Sequence, residues 1–368
     1  MEKLGFLSTA LKVIIYLLGF FVLVLTVLPF LKLSSWWVRI GDFPRVQIAL
    51  VGIFVILVML IFFQPLFNHN LAIIFILVSC SVYQIFCILP YVPIYPKQVE
   101  ITKRKNPKNT IKLLISNVLI ENNEVAKLLN LIEKINPDAI LLAEPNQRWI
   151  NALKPLDEKY PHSVKVPLDN AYGMALFSRL ELISPEVKFL VEDDIPSIHT
   201  EIKLDSGEII KLYGIHPRPP FPGVSNSSTE RDAELVLVGK IVKNTKVPTI
   251  IAGDLNDVAW SRTTTLFQKI SEMLDPRIGR GMYSSFHAEY PFMRFPLDHV
   301  FHSDHFRLVD LQRLSYVGSD HFPLLIVLNI EDGAEKSQEE PEADKSEMRE
   351  ANEMIEDAEE KKGKELDR

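Results

Sequence analysis

The chain has 368 residues, a formal net charge of −7 and 47% hydrophobic residues. The charge is unevenly divided, because residues 1–98 carry +4, residues 99–332 carry −4 and residues 333–368 carry −7. A slightly acidic central part is unlike the strongly basic surface of a nucleic-acid clamp, and it leaves a metal-assisted hydrolase open.

Three apolar segments, at residues 7–31, 46–63 and 71–91, are predicted to cross a membrane. Each is near the length of about 20 apolar residues that a helix needs to span a bilayer core. A cleaved signal peptide is the alternative for the first segment, but two further spans follow and no small-residue cleavage site is evident. The link at residues 64–70 is short enough to predict a tight helical hairpin. Cys80 and Cys87 lie inside the third segment and do not indicate a disulfide framework.

Three spans would place residues 34–45 and everything after Tyr91 on the same side of the membrane. Most basic residues near the membrane lie on that side, whereas Lys3 and Lys12 lie at the other end of the first span. The positive-inside rule therefore favours a cytoplasmic position for the rest of the chain. Residues 99–110 are predicted to be a basic juxtamembrane linker, attracted to anionic headgroups.

Residues 111–330 alternate strand and helix patterns. Strands are predicted at residues 111–116, 139–143, 174–177, 200–204, 209–215, 247–252, 307–313 and 322–328, and helices at residues 124–135 and 229–242. Consecutive strands without a helix between residues 174 and 215 favour a mixed pair of sheets over a doubly wound sheet. The predicted fold class is α/β, with two mixed sheets flanked by helices.

Residues 331–368 are predicted to be a charged, disordered tail. They contain few large apolar groups and are interrupted by Pro341, so they bury too little surface to order themselves. Their last two-thirds have mixed-sign charge pairs that favour a transient helix.

Polar side chains follow the predicted strands in an ordered series. They are Asn117, Glu144, His216, Asp254 with Asn256, Asp298, and Asp320 with His321. Open α/β sheets bind ligands at the carboxyl ends of their strands. Each residue alone has an ordinary structural reading, such as a turn or a helix cap. The ordered set of acids, amides and imidazoles is typical of a catalytic site.

This series resembles the endonuclease/exonuclease/phosphatase superfamily over residues 111–330. The most specific motifs are Gly253-Asp254-Leu255-Asn256 and Ser319-Asp320-His321. The resemblance implies a DNase I-like four-layer sandwich of two mixed β-sheets flanked by helices, here preceded by three transmembrane helices. The Trp-Trp-x-Arg, Asp-Phe-Pro-Arg and His-Pro-x-Pro-Pro segments resemble a bacterial membrane-anchored branch. That likeness implies a multi-pass protein of the bacterial inner membrane.

A metal site is implied by the same resemblance. Glu144 matches the main metal ligand, with Asn117 as a neutral partner and Asp320 nearby. Phosphoester hydrolysis needs a cation to offset charge on the phosphoryl oxygens, and hard Mg²⁺ takes few protein carboxylates. Mg²⁺ is therefore the expected cofactor, with Mn²⁺ as the alternative.

The catalytic roles implied by the resemblance fall on five further residues. Either His321, oriented by Asp298, or Asp254 would act as the general base toward water. His216 and Asn256 would hydrogen-bond the phosphate and stabilise its developing charge.

The predicted function is phosphodiester hydrolysis by a membrane-anchored enzyme of the nuclease or phosphodiesterase type. Its partners would be the lipid bilayer and a phosphate-ester substrate, which is a nucleic acid, a nucleotide or a phospholipid headgroup. One alternative is a phosphomonoesterase of the same fold that acts on a lipid or inositol phosphate. The other is a catalytically idle membrane binding or scaffold protein. Leu119 stands where some abasic-site nucleases carry an acid, which disfavours DNA repair.

Overall fold

The computed structural model describes residues 2–63, 67–243 and 245–366 of the chain. By their internal contacts the residues form two compact units, Met1–Val92 and Pro93–Arg368. The predicted hairpin link lies partly outside the described residues, at positions 64–66.

Three long helices make up the first unit. They are α1 (Glu2–Val27), α3 (Arg45–Phe62) and α4 (Asn68–Ile88), with the short helix α2 (Trp36–Arg39) between the first two. The segments Thr9–Leu31, Arg45–Phe62 and Asn68–Tyr91 are long and apolar enough to cross a membrane. The prediction of three apolar helices at the N-terminus is confirmed.

A chain of polar contacts lies buried inside this first unit. Arg45 Nη2 donates to Asp42 Oδ1 at 2.5 Å, and its Nη1 donates to Gln84 Oε1 at 3.1 Å. Gln84 Nε2 donates in turn to Thr26 Oγ1 at 3.0 Å. These contacts tie the segment before α3 to both α1 and α4.

Two mixed sheets make up the centre of the second unit. The first has the order β10-β11-β1-β2-β4-β3 and the second the order β5-β6-β7-β8-β9. The strands are β1 (Thr110–Asn117), β2 (Ala139–Ala143), β3 (His162–Val166), β4 (Met174–Ser178), β5 (Glu181–Lys188), β6 (Ser197–Lys203), β7 (Ile209–Gly214), β8 (Thr249–Asp254), β9 (Asp298–His302), β10 (Phe306–Arg313) and β11 (Leu324–Ile330). The pairs β1–β2 and β7–β8 are parallel, and the other pairs are antiparallel.

Alternating side chains explain why the strands are buried on both faces. In β1, Leu113 packs between the two sheets whereas Leu114 packs toward α5 (Val125–Ile135) and α6 (Gln147–Ala152). The second sheet is covered in the same way by α7 (Thr229–Lys243) and α8 (Arg262–Ser271). Burying one large aliphatic side chain contributes about 1.5–3 kcal/mol. The layers are therefore helices, sheet, sheet and helices, and the predicted fold class is confirmed.

The end of the chain differs from the predicted disordered tail. Helix α9 (Lys345–Leu366) packs on α7 and α8, and Ala351 is fully buried against Val236, Leu266 and Ile270. Lys240 Nζ donates to Asn352 Oδ1 at 2.6 Å, and Lys269 forms an ion pair with Glu347 at 2.6 Å. Small side chains on one helix face allow this close approach, and composition alone does not reveal it.

Residues 99–110 also differ from the predicted linker. Val99 is fully buried in the core between the sheets. The amide of Leu308 donates to Glu100 O, and the amide of Thr102 donates to Leu308 O, each at 2.9 Å. This segment is thus packed against β10 as part of the second unit.

Candidate active site

The strand ends at one edge of both sheets carry the predicted site residues. Asn117 is the last residue of β1, and its partner in β2 is Ala143, so Glu144 follows at the same level. In the other sheet Asp254, the last residue of β8, pairs with Asp298, the first residue of β9. The ladder registers therefore bring residues far apart in sequence to one place.

Unusual backbone turns direct two of these side chains. Gly253 has φ +147°, and a Cβ at this position would collide with the carbonyl of Ile215. Glu144, just before Pro145, has φ +66°, in the left-handed region that non-glycine residues rarely adopt. Such a conformation costs of order 1–3 kcal/mol and persists where the surrounding structure enforces it.

The amide of Asn117 bridges two carboxylates. Its Nδ2 donates to Glu144 Oε1 at 2.8 Å and to Asp254 Oδ2 at 3.0 Å. Its Oδ1 accepts from the backbone amide of Leu119 at 3.0 Å. In this arrangement the Nδ2 group of Asn117 orients the two acids, whereas its Oδ1 accepts one hydrogen bond and keeps a second lone pair.

Glu144 is a half-buried carboxylate in acidic surroundings. Its Oε2 accepts from the amide of Ile120 at 3.3 Å. Burial raises the pKa of Glu144 to about 7, against the opposing hydrogen bond from Asn117, and the charges of Asp254 and Asp320 raise it further. A divalent cation would relieve this concentration of negative charge.

His321 lies between two carboxylates. Its Nδ1 is 2.7 Å from Asp298 Oδ2, and its Nε2 is 3.5 Å from Asp254 Oδ2. Burial alone would lower the pKa of His321, but Asp298 and then Asp254 outweigh it and raise the pKa to about 10. The two carboxylates therefore favour the charged form of the imidazole.

The pKa of His216 is shifted in the opposite direction from that of His321. Burial lowers the pKa of His216, although its Nε2 is 3.9 Å from Asp254 Oδ2. Its buried Nδ1 has no hydrogen-bond partner among the described residues. The Tyr172 ring lies 5.7 Å away, centroid to centroid. His216 is thus a neutral imidazole with an unused polar atom.

The last two predicted residues lie at the margin. Asn256 Nδ2 donates to Pro217 O, and its backbone amide donates to Asp254 Oδ1, each at 2.9 Å. Asp320 is half-buried, and its Oδ1 accepts from Ser319 Oγ at 3.4 Å. The charge of Asp320 influences the site, although no direct contact joins it to Glu144 in the described part of the chain.

A group of three side chains could also hold a metal. One ligand atom each from Asp254, Asp298 and His321 lies within 4.8 Å of the others. Asp298 Oδ1 is buried and has no hydrogen-bond partner among the described residues. Oxygen-rich donors of this kind suit Mg²⁺ or Mn²⁺, so the residues present fit a divalent cation.

The histidines of β9 have structural partners. His299 Nδ1 is 2.7 Å from Arg277 Nη2, and its Nε2 is 2.8 Å from Asp257 O. His302 Nδ1 is 2.8 Å from Ser303 O. Burial lowers the pKa of both imidazoles, which are neutral in the core.

Arg231, which the sequence analysis did not single out, supports the loop after β8. Its Nη1 donates to Asn256 O at 2.8 Å, and its Nη2 lies 3.3 Å from Asp257 Oδ2. It stands on the buried face of α7 with Leu235 and Val238. The sequence feature that could have identified Arg231 is its position on an apolar helical face, because a buried arginine needs a specific partner.

The sequence profile of the Endonuclease/Exonuclease/phosphatase family matches residues 114–321. The match spans more than half of the chain and includes every predicted site residue. The chain belongs to this family. Its members are phosphoesterase hydrolases that generally use a divalent metal.

Solved structures show the same fold. A family member from Bacteroides vulgatus is 16% identical over 61% of this chain and 100% of its own, with a TM-score of 0.51. A member from Beutenbergia cavernae is 16% identical over 60% and 72%, with a TM-score of 0.48. A humanized TDP2 from D. rerio is 16% identical over 60% and 99%, with a TM-score of 0.46. No curated protein matches the chain.

Proposed function

We propose that this protein is a membrane-anchored, Mg²⁺-dependent phosphoesterase that hydrolyses a phosphodiester. The observation that carries the proposal is the unbroken series of contacts Asp298–His321–Asp254–Asn117–Glu144 at the strand ends. A structural role alone does not explain why five buried or half-buried polar groups contact one another in succession.

Glu144 is the main candidate ligand, with Asp320 nearby and Asn117 holding the carboxylate in place. Burial raises the pKa of Glu144, as do the charges of Asp254 and Asp320, and this supports a cation at its carboxylate. The cation would offset charge on the phosphoryl oxygens and acidify bound water. Mn²⁺ has similar ligand preferences and is the alternative cofactor.

The electrostatics favour Asp254 over His321 as the general base. Asp298 and Asp254 raise the pKa of His321 and favour its protonated form, in which the imidazole has no lone pair to accept a proton from water. Asp254 Oδ2 would accept that proton, and the imidazolium of His321 would stabilise charge on the phosphate. Neutral His216 and the amide of Asn256 would donate hydrogen bonds to phosphate oxygens.

Membrane attachment rests on the three long apolar helices. We assign the protein to a bacterial inner membrane, with its second unit on the cytoplasmic side. Attachment to a bilayer favours a phospholipid headgroup as substrate over a nucleic acid or nucleotide. A phosphomonoesterase and an idle binding protein are the competing functions.

The test uses full-length protein in lipid nanodiscs and compares Glu144→Gln with wild type. Substrates are DNA, RNA, phospholipids, phosphoinositides and an artificial phosphodiester, and Mg²⁺ and Mn²⁺ are titrated separately. We expect Glu144→Gln to lose at least about 10²-fold in rate, the lower range for a catalytic electrostatic group. Glu121→Gln, an exposed acid in a neighbouring loop, is the matched control.

The outcomes separate the competing functions. A Glu144→Gln protein with wild-type activity would overturn the metal assignment. Release of inorganic phosphate as the first product would indicate a phosphomonoesterase. Metal binding by calorimetry without turnover of any substrate would indicate an idle protein.

A further inference from the structure

An apolar hairpin tip stands beside the candidate active site. In the hairpin of residues 286–295, Phe286 and Phe295 form an antiparallel bridge. At its tip Tyr290 is 58% exposed, Phe292 is 88% exposed and Met293 is 58% exposed. Three large apolar side chains are thus exposed within four residues, and an exposed apolar patch of this kind marks an interaction site.

The hairpin is held against the segment that carries His321. The amide of Ala288 donates to Asp320 O at 2.7 Å, and the amide of Phe322 donates to Ser285 O at 2.9 Å. The Phe286 ring lies 5.0 Å from the His321 ring, centroid to centroid. The position of the tip is therefore fixed relative to the imidazole.

Two arginines lie at the base of the hairpin. The guanidinium carbons of Arg294 and Arg313 lie over the ring of Phe322, at 5.1 Å and 4.5 Å from its centroid. Arg294 donates to the carbonyls of His287 and Ala288, and Arg313 donates to a carbonyl in the preceding loop. Neither arginine forms an ion pair with an acid in the part of the chain that the structure describes.

The two cations are close enough to repel each other. Desolvation and then the charge of Arg294 lower the pKa of Arg313. The hairpin's own acid, Glu289, is exposed and accepts a hydrogen bond from the Tyr316 hydroxyl at 3.0 Å. An anion at Arg294 and Arg313 would relieve their repulsion and meet guanidinium donors already held in place by Phe322.

An apolar tip next to arginines that lack acidic partners among the described residues is complementary to an anionic lipid surface, which has phosphates above an apolar interior. Aromatic and apolar side chains enter the headgroup boundary, and arginines pair with phosphates above it. The second unit begins in the sequence at Pro93, two residues after the last segment that is long and apolar enough to span a membrane.

We propose that the 286–295 hairpin, with Arg294 and Arg313, is a docking surface for an anionic lipid bilayer and seats the candidate active site on the headgroups. The inference rests on the membrane attachment proposed above and is independent of the reaction. It assigns the hairpin a lipid partner and makes lipid headgroups the nearest phosphates to the site.

The test places an environment-sensitive fluorophore at Phe292→Cys in the full-length chain, with Cys80→Ala and Cys87→Ala as background. Nanodiscs contain either zwitterionic lipid alone or added phosphatidylglycerol, and some carry acyl-chain nitroxide quenchers. We expect a blue shift and quenching by the nitroxide lipids, both larger with phosphatidylglycerol. A label at Asp205→Cys, in the β6–β7 turn at the opposite end of the sheet, should show neither.

The arginines are tested by Arg294→Gln combined with Arg313→Gln in the labelled protein. This variant should lose the extra response to phosphatidylglycerol, whereas Lys154→Gln combined with Lys159→Gln, near the start of β3, should keep it. An unquenched, water-exposed label in every nanodisc would overturn the proposal. So would a label that responds only to added single-stranded oligonucleotide, which would make the surface a nucleic-acid site. Because fluorescence needs no turnover, an inactive protein that still docks separates this inference from the proposed reaction.

Discussion

At the scale of single residues, the protonation state of His321 determines which group can act as the general base. Two carboxylates face this imidazole, one at each ring nitrogen. Either carboxylate alone would favour the charged ring, and together they outweigh complete burial. These contacts therefore favour a charged imidazole beside Asp254.

Asp298→Asn should lower activity by about 10²–10⁴-fold, the usual contribution of a positioned acid–base group. An amide stabilises the imidazolium less well than a carboxylate, so the pKa of His321 should fall. If the protonated ring is the active form, activity is lost as pH rises through that pKa, and the alkaline limb of the pH–rate profile should move to lower pH. Asp205→Asn is the surface control. An unmoved alkaline limb in Asp298→Asn would contradict the assigned role of His321.

Glu234 is a buried acid outside the candidate site. It lies in α7, its Oε1 has no hydrogen-bond partner among the described residues, and burial followed by the charge of Glu192 raises its pKa to about 8. An unfolded glutamate has a pKa of about 4.3. The folded state therefore binds more protons between these values, and stability should decrease as pH rises from about 4.3 to about 8.

Glu234→Gln should flatten this pH dependence, because glutamine carries no titrating proton. The loss in wild type is at most about 1.4 kcal/mol for each pH unit, so the variant should be the more stable protein at pH about 8. Thermal unfolding of the full chain in detergent at several pH values measures the pH dependence of stability. Glu133→Gln, on the exposed face of α5, is the control. Equal slopes for wild type and Glu234→Gln would show that Glu234 is not protonated in the fold.

At the scale of elements, the packing of α9 on α7 and α8 depends on one small side chain, Ala351. Ala351→Asp would put a carboxylate among Val236, Leu266 and Ile270, where burying an unpaired polar group costs about 2–7 kcal/mol. We expect α9 to detach instead, which hydrogen exchange would report as lost protection of Lys345–Leu366 with β8 still protected. Glu353→Asp adds the same side chain on the exposed face and should leave protection unchanged. Full protection of α9 in Ala351→Asp would contradict the packing role of Ala351.

The elements that the sequence predicts best are those buried on both faces. The strands that became β1, β2 and β11 are runs of Leu, Ile and Val, and their ends located Asn117 and Glu144. The edge strand β5 was missed because most of its residues are exposed and Pro185 interrupts the pattern. A transient helix was predicted where α9 lies, but its packing was missed because its alanines pack only in the presence of α7 and α8. The base assignment stayed open in the sequence because it depends on distances between β8, β9 and the segment before β11.

At the scale of the whole molecule, no long tether separates the two units. The boundary lies between Val92 and Pro93, and the segment predicted as a linker packs against β10. With the proposed membrane attachment, the chain itself would tie the proposed phosphoesterase unit to a bilayer. Such attachment would favour substrates held at the bilayer. The substrates that the second unit can reach therefore depend on the side of the membrane on which it lies.

The number and direction of the spans can be tested by cysteine accessibility in a background of Cys80→Ala and Cys87→Ala. An odd number of spans puts Ile40 and Asp205 on one side and Asn68 on the other, and the basic residues favour the cytoplasm for the first two. A membrane-impermeant thiol reagent should therefore label cysteines at residues 40 and 205 in inverted vesicles and a cysteine at residue 68 in intact spheroplasts. Labelling of residues 40 and 205 from opposite sides would contradict three spans. Labelling of both from the outside would keep three spans and reverse the orientation, which would place the second unit outside the cytoplasm.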